Sequence, residues 1–309
     1  MNGNKALLID FEKFQELEKN RPSPYTEYFD DELSDYYNSI DYAKNKYLRG
    51  LLRSLPLFAA MERVYTRRNI LFCIDVEAWE HDTKLVTELG VSIYDPRGQG
   101  LSIAPNITTY HIIIDEFSGK RNGRFVPNHL EYFNGGITYQ MPQMEAVEFV
   151  QALIDYYFMS REHFGCCLVG HDVKGDSNWF RSIGIKLPYE LTIIDTHTIY
   201  SLSHGRQGGS LKNLLKLVQV PNAFLHNAAN DAYYTLLVAM KLCDPHVRTR
   251  LLLDQGRPLI PNKTVPQNHS KKHKLRNANK SDLVNYSSCE ELLYDLYQSP
   301  IFEDSGDAE

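Results

Sequence analysis

The chain has few cysteines and none in a Cys-x-x-Cys pair. Cys73, Cys166, Cys167, Cys243 and Cys289 are odd in number and scattered, so neither a disulfide framework nor a zinc site is indicated. Cys73, Cys166 and Cys167 lie in apolar runs and read as small core residues. No stretch approaches the roughly 18 apolar residues of a membrane span. The opening MNGNKALLIDFEKFQ has no leader pattern. The expectation is a protein of the cytoplasm, the nucleus or both, with no membrane partner. Internal repeats are also missing, which argues against a solenoid. Nor is there an excess of positive charge, since the net charge is −6. That deficit is local. Residues 281–309 hold eight acids and no Lys or Arg, leaving 33 basic against 31 acidic residues elsewhere. Net charge therefore neither supports nor opposes a polyanionic partner.

What is present has a clear organisation. Residues 1–68 are polar and rich in Tyr and acids, with weak helical periodicity from about 40 to 62. They read as a partly helical extension. From 69 the pattern becomes regular. Residues 70–77 (ILFCIDVE), 86–94 (VTELGVSIY) and 108–114 (TYHIIID) are apolar, β-branched runs. The turn cluster DPRGQG at 95–100 makes these three strands an antiparallel meander. Helical spacing follows at 143–159, then a short apolar strand at 166–170 and a helix at 176–183. A strand at 191–195, a helix at 210–218 capped by Ser210, and a helix at about 228–242 complete the domain. The order predicts an α/β sandwich with a mixed sheet over residues 69–260. Residues 261–309 turn basic and then acidic and are expected to be disordered.

Three places carry chemistry. Asp75 and Glu77 end an apolar strand, where alternation puts i and i+2 on one face, so their carboxylates converge into a hard-cation site. Alone, D-x-E is a frequent chance pattern. In LVGHDVKGDSNWF (168–180) an apolar strand gives way to a helix, and Asp176 is either its N-cap or an acid facing the first pair. Asp172 reads as a turn residue. In LHNAANDAYYTLL (225–237) His226 precedes a helix and Asp231 lies on its apolar side. A histidine at such a place is commonly structural. A buried, unpaired carboxylate is costly, and a metal ion is its simplest partner.

Taken together, D-V-E at 75–77, H-D-x-x-x-D at 171–176 and H-x-x-x-x-D at 226–231 resemble the DEDDh 3′→5′ exonuclease superfamily. Thr87–Gly90 (TELG), Asp195–Thr196 and the Ser210-Leu211-Lys212 helix start add to the likeness, the last being similar to the S-L-K-x-L helix of RNA exonucleases. Asn227 stands where the sister DEDDy type would have tyrosine. The long 115–142 insertion is similar to that of a fungal RNase H-like family connected with mRNA export. The resemblance implies an RNase H-like three-layer α/β/α fold with a mixed five-stranded sheet. It also implies two Mg²⁺ or Mn²⁺ ions about 3.5–4 Å apart. Asp75 would bridge both ions, Glu77 and Asp231 complete the first, and Asp176 support the second. His226 would be the general base.

The implied partner is single-stranded nucleic acid, RNA favoured over DNA. Two departures bear on substrate choice: Ala78-Trp79 follow D-x-E where relatives have Thr or Met, and Gly175 replaces a bulkier residue. Trp79 is either a base-stacking surface or a core anchor. Phosphate contacts are expected among Lys174, Arg206, Lys120, Arg121 and Arg124, and the basic run 271–280 is either an RNA contact, a nuclear signal or a linker. Two other readings stay open. One is a catalytically weak nucleic-acid-binding or adaptor protein on the same fold, and the other is a two-metal phosphatase or small-oligonucleotide hydrolase.

Overall fold

A computed structural model describes residues 26–48, 51–99, 102, 104–159, 165–204 and 209–255. Arg206, the basic run 271–280 and the rest of the tail lie outside these residues. Helices α1 (Thr26–Ser39) and α2 (Leu51–Tyr65) lead into strands β1 (Asn69–Trp79), β2 (Asp82–Tyr94) and β3 (Ile107–Ile114). After the insertion come β4 (Thr138–Met141), α3 (Gln143–Met159), β5 (Gly165–Gly170), α4 (Val173–Ile183) and β6 (Thr192–Asp195). Helices α5 (Thr196–His204), α6 (Leu211–Leu217), α7 (Ala228–Leu242) and α8 (Pro245–Arg250) close the described chain.

The strands make one mixed sheet in the order β4-β3-β2-β1-β5-β6. β1, β2 and β3 pair antiparallel, as the turn cluster predicts, while β4 on β3, β5 on β1 and β6 on β5 are parallel. The expected five strands are thus six. The extra strand, β4, lies within the 115–142 insertion and pairs His111 with Thr138 through Ile114 with Met141. Residues 138–140 are exposed, so pairing rather than burial holds β4 and it leaves no hydrophobic alternation to read.

Alternation along β1 sorts the core into two layers. Leu71 and Cys73 pack with Cys167, Val169 and Ile194 against Ala232, Leu236 and Ala239 of α7. Ile70, Phe72, Ile74 and Val76 pack on the opposite side with Val150 and Ile154 of α3 and Phe180 of α4. Leu33, Tyr36, Leu57 and Met61 of α1 and α2 join the α7 layer. α1 is polar along most of its length, and its fold is held by these few buried side chains, each contributing about 1.5–3 kcal/mol.

A buried cluster fastens α1 to the far end of the domain. Arg248, 1% exposed, donates to both carboxylate oxygens of Asp254 (2.8 and 2.9 Å) and to the Leu242 carbonyl (2.6 Å). Tyr36 of α1 and Ser203 of α5 donate their hydroxyls to the same carboxylate. Every charge in this cluster has a partner.

Candidate active site

The same alternation carries Asp75 and Glu77 onto the face of Leu71 and Cys73, the side covered by α7. Gly90 on β2 is paired with Asp75 and sets how closely α7 can approach. A Cβ there would lie 2.1 Å from the carbonyl carbon and oxygen of Ala228, so only glycine lets the first turn of α7 rest on the sheet backbone. That contact brings Asp231 over the β1 carboxylates. β1 loses its register just past Glu77, where Thr87 Oγ1 donates to the Glu77 carbonyl (3.1 Å).

Glu77, His226 and Asp231 offer ligand atoms that all lie within 4.8 Å of one another. Nδ1 of His226 is 3.8 Å from Oε1 of Glu77. Asp231 is only 8% exposed. Its Oδ2 accepts the His226 backbone N–H (2.9 Å), while its buried Oδ1 has no hydrogen-bond partner among the described residues. Burial, and next the Glu77 charge, push the Asp231 carboxyl up to about 8. Burial raises Asp75 well above the usual range, reinforced by Asp231, Glu77 and Asp176. Burial also raises Asp176 to about 7, with Asp172 and Glu77 adding to it. The Glu77 charge thus bears on each of the other three predicted acids, and Asp75 feels all of them. A buried carboxylate oxygen without a donor, inside a set of hard oxygen ligands, fits a divalent cation.

His226 has a left-handed backbone (φ 68°), and its side chain is 49% exposed. The Glu77 carboxylate beside it raises its pKa. Burial opposes that, the charges of Glu77 and Asp231 assist it, and Lys212 of the Ser-Leu-Lys helix opposes it. The ring thus faces both the acids and solvent, as proton exchange with water requires.

Around this junction lies a support that sequence reasoning missed. Asn227 caps α7, its Oδ1 accepting the Asn230 N–H (3.1 Å). Its Nδ2 donates to the carbonyls of His129 (3.1 Å) and Leu130 (3.3 Å) in the insertion. Glu88 Oε2 sits 3.0 Å from His111 Nε2 and accepts the Ala228 N–H (3.3 Å). Glu88, His111 and Asn227 are 3%, 0% and 0% exposed. One signal was available, a lone histidine inside the apolar strand TYHIIID.

At the second motif, α4 begins at Val173 rather than at Asp176, which sits in its first turn. Asp172 takes the N-cap position in the left-handed region (φ 63°) with no side-chain capping bond, so the N-cap reading of Asp176 is replaced. Asp195 Oδ1 accepts the N–H of Asp172 (3.1 Å), and Thr196 Oγ1 donates to the Gly170 carbonyl (3.1 Å), fixing this strand-to-helix turn. Lys174 lies in the first turn of α4. Ala78 is at the irregularity of β1, and Trp79 lies under the ammonium of Lys120, 4.4 Å from its ring centre. Arg121 pairs with Glu131 (2.8 Å).

Comparison with known proteins agrees with this geometry. The family described as "DNA polymerase III subunit epsilon-like, C-terminal domain" matches residues 70–242. An uncharacterised protein of Saccharomyces cerevisiae is 39% identical over 221 residues, 64% of this chain and 46% of its own. The Saccharomyces cerevisiae Good for full DBP5 activity protein 2 is 38% identical over 220 residues, 62% of this chain and 39% of its own. An uncharacterised nucleolar protein of Schizosaccharomyces pombe is 28% identical over 205 residues, 64% of this chain and 77% of its own. The chain thus spans less than half the length of the two budding-yeast relatives.

Proposed function

Because this chain belongs to the DEDDh exonuclease family of the DNA polymerase III epsilon type, we propose that it is a metal-dependent 3′→5′ exonuclease. Its substrate would be single-stranded nucleic acid, RNA in preference to DNA, and its products nucleoside 5′-monophosphates. The observation that carries this reading is the buried Asp231 carboxylate with its orphan oxygen, set among the like charges of Glu77 and Asp75 and beside a half-open histidine.

Asp75, Glu77, Asp176 and Asp231 would hold Mg²⁺ or Mn²⁺, two ions in all. Bound there, the ions would acidify a water and stabilise charge on the leaving 3′-oxygen. His226 would take the proton of that water on its ring. In the cation-free site Glu77 favours the imidazolium form. Once the Glu77 charge is engaged by a cation, the ring loses that pull and returns toward the neutral, proton-accepting form. Asp231 serves twice, since the oxygen not used as a ligand fixes the His226 backbone.

Ala78, Trp79, Lys174 and Arg206 are the proposed substrate contacts. The RNA preference is supported by the Ser-Leu-Lys helix, whose Lys212 acts on His226 electrostatically. We assign catalysis to residues 69–260, with 1–68 as an extension packed on that unit through its described helices. The nucleolar relative supports a nuclear location, and among the described residues no helix is long and apolar enough to cross a membrane.

The test is degradation of 5′-labelled single-stranded RNA and DNA with Mg²⁺ or Mn²⁺, using wild type, Asp75→Ala and His226→Ala, with a chelator blank. A ladder shortening from the 3′ end, lost in both variants and with chelator, is expected. An inert wild type that still binds strands would favour a second reading, a nucleic-acid-binding adaptor on this fold. One observation supports that alternative: a relative is named for its effect on the activity of another protein, DBP5.

A further inference from the structure

The insertion does more than add β4. Its first part folds back over the tip of the β1–β2 hairpin and is pinned there by two side chains. The carboxylate of Glu80, 4% exposed, accepts the backbone N–H groups of Arg124 (2.9 Å), Phe125 (2.7 Å) and Val126 (3.1 Å). Asn122 closes the other side, accepting the Glu80 N–H (2.8 Å) and donating to the Ala78 carbonyl (3.1 Å). Against burial, these backbone N–H groups hold the Glu80 carboxyl below its ordinary range, so the loop is fixed by a charged anchor.

Phe125 is 70% exposed although its backbone is held on both sides. The Arg124 guanidinium lies 4.9 Å from its ring centre, and Lys120 lies over Trp79. His81 bridges the two aromatics edge-on, 5.1 Å from Trp79 and 6.3 Å from Phe125. Leaving a large apolar ring in water adds nothing to folding. Aromatic faces interleaved with cations match the alternation of base and phosphate along an unpaired strand. Trp79 is only two residues past Glu77, at the end of β1.

We infer that Trp79, His81, Lys120, Arg124 and Phe125 form a stacking platform for single-stranded RNA, seating an unpaired base on the nucleotides just behind the strand's 3′ end. The direction of the strand rests on the exonuclease reading, whereas the platform itself does not. Arg121, engaged by Glu131, is not part of it.

The test is fluorescence anisotropy with a short labelled single-stranded RNA and a blunt RNA duplex of equal length. It uses the full chain in chelator, where no turnover intervenes. Phe125→Ala should weaken single-strand binding by about tenfold, as expected for the loss of one stacked base, and leave duplex binding unchanged. Phe125→Tyr should restore it. Lys120→Ala with Arg124→Ala should weaken binding and flatten its salt dependence. Equal single-strand affinity of wild type and Phe125→Ala, or an equal loss for strand and duplex, overturns the platform. A Phe125-dependent affinity in a protein that degrades nothing leaves the platform standing while the exonuclease reading falls.

Discussion

Two buried charged clusters in this molecule invite comparison. Around Arg248, one guanidinium meets one carboxylate, and the hydroxyls of Tyr36 and Ser203 complete the set. Around Asp231, like charges crowd together: burial raises Asp231, Asp75 and Asp176, the Glu77 charge adds to each, and one buried Asp231 oxygen lacks any donor among the described residues. Asp231 is buried like the first cluster and Asp75, Glu77 and Asp176 less completely, but it is charge balance that separates the two. The first cluster is complete as folded and joins α1, α5 and α8. The second has no counter-charge of its own, and under the proposed reading a cation would supply it. Burial of charge therefore does not mark a functional site by itself, but burial of uncompensated like charge does.

The largest effect expected is from Asp231→Asn. It should lower nuclease turnover by roughly three orders of magnitude and yet raise the cation-free Tm, because it removes a buried carboxyl whose ionised form burial and Glu77 oppose. The His226 backbone bond survives, since the Asn side-chain oxygen can still accept it. A fall in cation-free Tm would break the contrast. Arg248→Ala should do the reverse, costing about 3–5 kcal/mol by stranding Asp254. Its turnover per folded molecule should stay near wild type. Denaturant melts with active-fraction assays read both.

Next comes a pH effect of opposite sign in the two clusters. Asp231 and Asp176 rise from an ordinary 3.8 to about 8 and about 7. The cation-free folded chain then holds more protons than the unfolded chain, so this cluster costs stability as pH climbs from about 4 to about 8. Against burial, Arg248 holds Asp254 below its ordinary 3.8, so that cluster's contribution is present above this value and fades as pH falls below it. Thermal melts with and without Mn²⁺ should diverge as pH rises, the cation restoring what repulsion removes. A Mn²⁺ gain that is flat with pH would refute this. The smallest effect is Asn227→Ala, a lost N-cap costing about 1 kcal/mol. It should lower activity more than its stability loss explains, because the cap also anchors the junction beside His226.

The acids on β1 were readable because alternation is local: once Leu71 and Cys73 face the core, Asp75 and Glu77 must share that face. Asp231 was readable for a related reason, as an acid on the apolar side of a helix. β4 was not, since its exposed Thr-Tyr-Gln sequence is held by pairing to β3 alone. Nor was the start of α4, set by the left-handed backbone of Asp172 rather than by a capping side chain. The Glu88–His111–Asn227 support joins residues as far as 116 positions apart, a distance that no local pattern spans. The loop pinned by Glu80 is hidden in the same way, because its partners are backbone N–H groups that carry no sequence identity.

The most direct test of the central claim, that the four acids form a cation site, is calorimetric titration of Mn²⁺ into the full chain near neutral pH. Wild type should be run beside Asp231→Asn. Saturable binding with release of protons from the raised carboxyls is expected for wild type, weakened at least about tenfold in the variant. Identical isotherms for the two proteins, or no saturable binding by wild type, would contradict it.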